Sequence, residues 1–78
     1  MSGEKQRLKE LGALFRDLRL RRGWTLEETE DHGWHDWKYL QKIEGGRNIT
    51  VLTLFKLCDL YGVRAEKFIS TLESSFKR

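Results

Sequence analysis

Residues 23–48 read GWTLEETEDHGWHDWKYLQKIEGGRN, and this stretch decides the fold. Glycines at its start, middle and end divide it into two short segments. Thr25 and Glu28 have the Thr-x-x-Glu spacing of a capping box, which predicts a helix over about residues 26–32. An aspartate after the central glycine can cap the next helix, which spans residues 36–44. The stretch therefore predicts two short helices joined by a turn.

Helical periodicity continues on both sides of this stretch. A first helix is predicted over about residues 5–22, a fourth is capped by Thr50 and ends at Gly62, and a fifth begins near Arg64. The apolar faces comprise Leu8, Leu11, Phe15 and Leu18 in the first, Val51, Leu54, Phe55, Cys58 and Tyr61 in the fourth, and Ala65, Phe68, Ile69, Leu72 and Phe76 in the fifth. No stretch alternates for long enough to form a strand, so an all-α, five-helix fold is expected.

Length and composition restrict the chain to one small domain. With 78 residues and 9.3 kDa, a single domain over residues 1–78 is expected, with its core over about residues 8–72. The single cysteine cannot form an intrachain disulfide. No apolar run approaches the roughly 18 residues of a membrane span, and the N-terminus lacks the apolar stretch of a secretory signal. These features favour a cytoplasmic protein without a membrane partner.

The charge is unevenly distributed along the chain. The net charge is +3 and the pI is about 9.2, which is compatible with a nucleic-acid partner. Residues 1–22 carry a net charge of +4, whereas residues 23–34 carry −4 and contain no Lys or Arg. A polyanion would therefore have to approach the domain in one definite orientation.

The third predicted helix has two chemically different faces. At 100° per residue, Leu40 and Ile43 centre an apolar face, and Lys38 and Gln41 centre the opposite one. Trp37 and Lys42 flank this polar face. Lys and Gln side chains on a short helix can read base edges in a major groove, although a solvated face would have the same pattern.

The order of these segments resembles the lambda repressor/Cro-like (XRE) helix-turn-helix family. The resemblance covers about residues 11–69 and rests on the joint order and spacing of several short motifs. These motifs are Arg16-Asp17-Leu18-Arg19 with Gly23, Thr25-Leu26-Glu27-Glu28, Tyr39-Leu40-Gln41-Lys42-Ile43-Glu44 with Gly46 and Arg47-Asn48, and then Thr50, Thr53-Leu54 and Gly62-Val63.

The resemblance implies sequence-specific binding of double-stranded DNA in transcriptional control, usually as a dimer and without a cofactor. Together with the helical wheel, it assigns base contacts to Trp37, Lys38 and Gln41. It assigns DNA backbone contacts to Thr25, Leu26, Lys42, Arg47, Asn48 and Thr50, with the first two contributing backbone amides. It also implies a partly buried ion pair between Arg19 and Glu44.

The C-terminal apolar stripe predicts a surface for the homodimer. Phe68, Ile69, Leu72 and Phe76 continue along the fifth helix for longer than a small core can absorb. The alternative is that the stripe folds back onto the first and fourth helices of its own chain.

The turn between the second and third helices fits the family pattern in two registers. Without gaps, Glu30 takes the position of a small residue inside the second helix, and Trp34 takes that of the turn glycine. A shift by one residue places Thr29 and Gly33 there and makes Trp34 an apolar plug. The second register is preferred, because an unpaired carboxylate between two helices is costly.

Other chemistry has weaker support in the sequence. His32 and His35 flank the turn, but their spacing matches no strong zinc pattern, and Cys58 lies on a predicted core face, where thiols are usually inert. No set of residues suggests catalysis. Two alternatives to a DNA-binding regulator remain: a protein-interaction module and an antitoxin-like partner that keeps the fold but binds DNA weakly.

Overall fold

Four α-helices and one 3-10 helix follow one another in the computed structural model, which describes residues 2–76. They are α1 (Ser2–Arg21), the 3-10 helix (Glu27–His32), α2 (Trp37–Glu44), α3 (Val51–Tyr61) and α4 (Ala65–Phe76). The described residues contain no strand, so the predicted all-α fold is confirmed. None of these helices has the length and apolar character needed to cross a bilayer.

The second element is a 3-10 helix rather than the α-helix suggested by its capping box. Its backbone hydrogen bonds join residues three apart, as from Thr29 N to Leu26 O at 3.1 Å. The Thr29 hydroxyl also donates to that carbonyl and so competes with the α-helical pattern. Glu27 and Asp31 would lie one α-helical turn apart, where like charges repel. Gly33 then ends the segment in a left-handed conformation, at φ 108°.

The core forms where α1, α2 and α3 meet. Phe15, Leu40, Ile43 and Leu57 are completely buried. The tightest approach is at Gly12 of α1, where a Cβ atom would lie 2.6 Å from the Glu44 carbonyl oxygen and closer still to that of Ile43. The absence of a side chain at Gly12 therefore sets the distance between α1 and α2.

α4 folds back onto α1 of its own chain. The Phe68 side chain is 3 % exposed, and its ring stacks on that of Phe15 with centroids 4.3 Å apart. Arg7 Nη2 and Glu73 Oε2 form an ion pair of 2.8 Å between the same helices. Phe68 therefore belongs to the core of its own chain, which removes it from the predicted dimer surface.

The rest of the α4 stripe offers little to a second chain. Leu72 is partly buried against the core, and Ile69 is 40 % exposed. The side chain of Phe76 lies outside the described part of the chain. The structure therefore favours the alternative in which the apolar stripe of α4 packs against helices of its own chain.

The predicted buried face of α3 is wrong at two positions. Val51 is 66 % exposed and Phe55 is 48 % exposed. Their neighbour Leu52, at 62 %, is exposed as well. The core instead receives Leu57, Cys58 and Tyr61, with Leu54 partly buried. The first turns of α3 are apolar around most of their circumference, so periodicity alone could not show which arc packs against α1.

The end of α3 is held by a side chain from the residue that follows α1. Arg22 Nη2 donates a 2.7 Å hydrogen bond to the Tyr61 carbonyl oxygen, and Gly62 continues in the left-handed region at φ 70°. The Tyr61 hydroxyl is buried and has no hydrogen-bond partner among the described residues. Burial raises the pKa of this hydroxyl, so it stays neutral at physiological pH.

Replacing Gly12 by Ala should destabilise the fold. The new methyl group would meet two backbone carbonyls of α2, and relieving such overpacking costs about 1–3 kcal/mol. Chemical denaturation gives the change in the free energy of unfolding. The matched control is Gly3→Ala, on an open part of α1 where nothing lies within 4 Å of a Cβ atom. That variant should be neutral or gain up to about 1 kcal/mol from helix propensity. Equal stability of both variants would contradict the close approach at Gly12.

Candidate nucleic-acid interface

α2 is anchored on one face and open on the other. Asp36 caps its N-terminus by accepting a 3.1 Å hydrogen bond from Tyr39 N, as predicted from the sequence. Leu40 and Ile43 enter the core. The opposite side carries the exposed residues Lys38, Gln41 and Lys42, which we call the open face of α2. The apolar and polar faces that the sequence predicts for this helix are thus present in the structure.

The open face retains most of its hydrogen-bonding capacity. Within residues 2–76, the side chains of Gln41 and Lys42 make no hydrogen bond or ion pair. The Lys38 ammonium lies 5.9 Å from the ring centroid of Trp37, whose own side chain is half-buried. Such a cation–π contact limits the freedom of Lys38 without using its three donors.

The Arg19–Glu44 ion pair fixes the other end of α2. Arg19 donates from Nε to Oε2 at 2.8 Å and from Nη2 to Oε1 at 2.9 Å. Its Nη1 donates to the Trp24 carbonyl oxygen at 2.8 Å, so one guanidinium joins α1, α2 and the segment between α1 and the 3-10 helix. The two side chains are only 8 % and 6 % exposed. Hydrogen bonding to Glu44 raises the pKa of Arg19, despite the opposing effect of burial.

The turn before α2 has the shifted register. Thr29 is completely buried, Gly33 adopts positive φ, and Trp34 is buried as the apolar plug. Trp34 Nε1 donates a 2.7 Å hydrogen bond to the Asp36 carbonyl oxygen, which brings the plug to the start of α2. Glu30 is exposed, so no carboxylate lies unpaired between the helices.

The loop after α2 continues the exposed polar surface. Arg47 and Asn48 are exposed, and the Arg47 side chain has no hydrogen bond or ion pair within the described residues. Asn48 Oδ1 accepts from Ile49 N at 2.9 Å, which leaves its amide nitrogen free to donate. Thr50 caps α3 through Thr53 N, and its hydroxyl also donates to Thr53 Oγ1 at 3.1 Å. Arg47 and Asn48 therefore have more free donors than Thr50.

The Thr25 amide, which is predicted to contact the DNA backbone, is hydrogen-bonded within the chain. Thr25 N already donates to Glu28 Oε1 at 2.8 Å, and Glu28 N donates back to Thr25 Oγ1 at 3.1 Å. The predicted capping box has formed, and it places a carboxylate where a phosphate would have to bind. Leu26 is partly buried at this site. The start of the 3-10 helix is thus a poor anion site.

Carboxylates also surround the start of α2. The acidic segment, by which we mean Glu27, Glu28, Glu30 and Asp31, is exposed throughout. Glu30 Oε2 accepts a weak 3.4 Å hydrogen bond from Trp37 N, the first amide of α2. Sequence reasoning missed this contact, as well as the Lys38–Trp37 contact. The separation of Glu30 and Trp37 in the sequence matches no local motif, because the conformation of the turn between them determines whether they come into contact.

The histidines and the cysteine serve packing roles. The His32 ring stacks on Trp24 with centroids 3.8 Å apart and an angle of 9°, and His35 lies 5.2 Å from Trp34. Burial raises the pKa of the Cys58 thiol, which disfavours the reactive thiolate. Across residues 2–76, no three His, Cys, Asp or Glu side chains are grouped so as to hold a metal ion.

Comparison with known proteins gives a consistent result. Residues 15–68 match the family model described as helix-turn-helix. The chain is 34 % identical over 68 residues to a Sinorhizobium fredii protein named as an uncharacterized HTH-type transcriptional regulator, y4dJ. The aligned part covers 86 % of this chain and 88 % of that relative. No solved structure matches significantly. The family resemblance inferred from the sequence is confirmed.

Glu44→Gln should destabilise the protein by roughly 3–5 kcal/mol, because it leaves a buried guanidinium without its counter-charge. Chemical denaturation of both proteins measures the difference. The control is Asp17→Asn, which removes the exposed Arg21–Asp17 pair of 3.0 Å on α1. That loss should cost less than about 0.5 kcal/mol. An unchanged midpoint for Glu44→Gln would show that the Arg19–Glu44 pair adds no stability.

Proposed function

Because the chain belongs to the helix-turn-helix family, we propose that it is a regulator of transcription that binds specific sequences in double-stranded DNA. The observation that carries this proposal is that α2 is fixed on one side and exposes polar side chains on the other. The core and the Arg19–Glu44 pair fix one side of it. On its open face, the side chains of Gln41 and Lys42 make no hydrogen bond or ion pair within residues 2–76. The matching relative is named as a transcriptional regulator, which supports the same function.

The open face has the chemistry needed to read base edges. The Lys38 ammonium can donate to guanine O6 and N7, and the Gln41 amide can both donate to and accept from adenine. Trp37 is half-buried beside them and can contact a thymine methyl group or a sugar. We therefore assign base contacts to these three residues, with Gln41 the most discriminating.

The DNA backbone is held from the C-terminal side of α2. Lys42 and Arg47 provide cationic side chains that have no ion pair among the described residues, and the Asn48 amide provides a neutral donor. Thr50 can contribute only if its hydroxyl turns away from Thr53. The Leu26 amide is a minor contributor, because the Glu28 carboxylate is close to it and repels phosphate.

The acidic segment limits binding to DNA of arbitrary sequence. It precedes the reading helix directly, and its four carboxylates are exposed. Long-range attraction to phosphates is therefore reduced on this side of the protein, whereas short-range base contacts are unaffected. High affinity then requires the correct site.

We further propose that the protein acts in the cytoplasm as a homodimer. Two copies related by a two-fold axis would place their reading helices about 34 Å apart, which matches successive major grooves. A dimer also doubles the number of contacts that the protein can make to DNA.

Gln41→Ala and Arg47→Ala should weaken DNA binding in different ways. Loss of Gln41 should cost roughly 1–3 kcal/mol, at one base position only. Loss of Arg47 should weaken binding to all sequences alike and reduce the salt slope by about one unit. The measurement uses a site selected from random DNA, its single-base variants and two salt concentrations.

The control for Arg47 is Lys67→Ala, which removes a positive charge from the groove between α1 and α4. It should leave the base preference and nearly all of the affinity intact. If Gln41→Ala weakens every single-base variant equally, the open face of α2 is not the reader. A random pool that yields no bound site would overturn the DNA-binding function itself.

Neutralising part of the acidic segment should strengthen binding to non-specific DNA. Glu27→Gln combined with Asp31→Asn spares the capping box and the Glu30 contact to α2. Affinity for a duplex of arbitrary sequence should rise roughly threefold at about 50 mM salt and by less at higher salt. Glu4→Gln combined with Asp59→Asn provides the control, because both residues are exposed and neither forms an ion pair within residues 2–76. Equal gains in both double variants would mean that only net charge matters.

A further inference from the structure

A groove between α1 and α4 has an apolar lining that remains open to the outside. The two helices run antiparallel, because Phe15 stacks on Phe68 while Arg7 pairs with Glu73 further along both of them. The groove has a volume of about 200 Å³. Its apolar lining consists of Leu14, Leu18, Val63 and Phe68, and charged side chains stand at its rim. A concave apolar surface with a few polar groups is the usual form of a small-molecule site.

We propose that this groove binds a straight-chain aliphatic carboxylate of about eight carbon atoms. The hydrocarbon chain lies against the apolar lining, where it is removed from water. The carboxylate lies at the rim, between the side chains of Arg21 on α1 and Lys67 on α4. The ligand thus bridges the two helices.

The charges at the rim favour an anion. The Lys67 ammonium makes no hydrogen bond or ion pair within residues 2–76, so its N–H donors are open to a ligand. Arg21 donates from Nε to Asp17 Oδ2 at 3.0 Å, and its two terminal nitrogens have no partner in the same part of the chain. Asp17 is the one acidic side chain among the described residues that line the groove, and Arg21 already neutralises it. The charge of Lys67 is therefore left without a counter-charge.

The dimensions of the groove select a short chain. Its volume of about 200 Å³ is below the roughly 300–1,000 Å³ of sites for drug-sized ligands. At about 30 Å³ for each water-sized group, it accommodates about seven such groups, which is the number of carbon atoms that follow the carboxylate in octanoate. Leu14 and Arg21 are two helical turns apart, or about 10 Å along α1. An extended chain of this length therefore runs from Arg21 to Leu14.

The groove lies on the side of α1 that faces away from the proposed reading helix. Gly12 and Arg19, which contact α2, are roughly 140–180° around α1 from Leu14 and Arg21. A ligand in the groove therefore leaves the open face of α2 uncovered. The site is separate from the proposed DNA surface, and its occupancy can be measured without DNA.

The test titrates octanoate into the full chain without DNA and follows the methyl NMR resonances of Leu14, Leu18 and Val63, which we call the groove resonances. These should shift with a Kd of about 1 mM. Octylammonium has the same chain with the opposite charge and should bind at least about fivefold more weakly. Acetate lacks the chain and should leave the groove resonances unchanged up to about 20 mM.

Two matched pairs of variants separate the effects of charge and shape. Lys67→Gln should raise the Kd of octanoate about two- to fivefold and narrow its difference from that of octylammonium, whereas Lys56→Gln on α3 should change neither. Thr71→Phe places a ring in the groove and should raise both Kd values at least about tenfold. Ser70→Phe adds the same ring at a neighbouring position outside the groove and should leave binding unchanged. Circular dichroism checks that each variant retains its helices.

Several outcomes would overturn this site. Groove resonances that stay unchanged in octanoate would show that the groove does not bind it. Larger shifts at Val51, Leu52 and Phe55 would place the chain on the exposed apolar residues of α3 instead. Equal binding of octanoate and octylammonium, or equal losses in Lys67→Gln and Lys56→Gln, would show that the rim does not recognise the carboxylate.

Discussion

The buried ion pair between Arg19 and Glu44 fixes the position of the helix that carries the proposed reading residues. Glu44 is the last residue of α2, where the negative end of the helix dipole disfavours a carboxylate. Arg19 offsets this cost by engaging both carboxylate oxygens, and its remaining bond to Trp24 holds the chain as it leaves α1. Buried charges are tolerated only when such bonds satisfy them. A shift of α2 would break several of these bonds at once.

The Arg19–Glu44 ion pair depends on the absence of a side chain at Gly12. Gly12 lies two helical turns before Arg19, and the backbone of α2 rests against it at Ile43 and Glu44. Any side chain at Gly12 would push the end of α2 outward and stretch the bonds to Arg19. Close packing and charge pairing therefore depend on each other, and the orientation of the open face depends on both.

The sequence predicted features with local signals and missed those that depend on tertiary packing. Caps at Thr25, Asp36 and Thr50 were found because their partners lie three residues away. The predicted buried face of α3 is wrong at Val51 and Phe55, because apolar residues surround the start of the helix and only its contacts with α1 and α4 select the buried arc. The reading residues could be proposed from the wheel of α2. The bond from the Thr25 amide to Glu28 follows from the predicted capping box, so the same sequence signal opposes the phosphate contact assigned to this amide.

The distribution of charge gives the protein one favoured approach to DNA. The acidic segment lies before α2, whereas Lys42 and Arg47 lie at its end and in the following loop. Under the proposed function, a duplex that meets the acidic side would be repelled, and one that meets the basic side would be held with the open face of α2 directed at the groove. The carboxylates thus lower affinity for arbitrary DNA while they orient the domain.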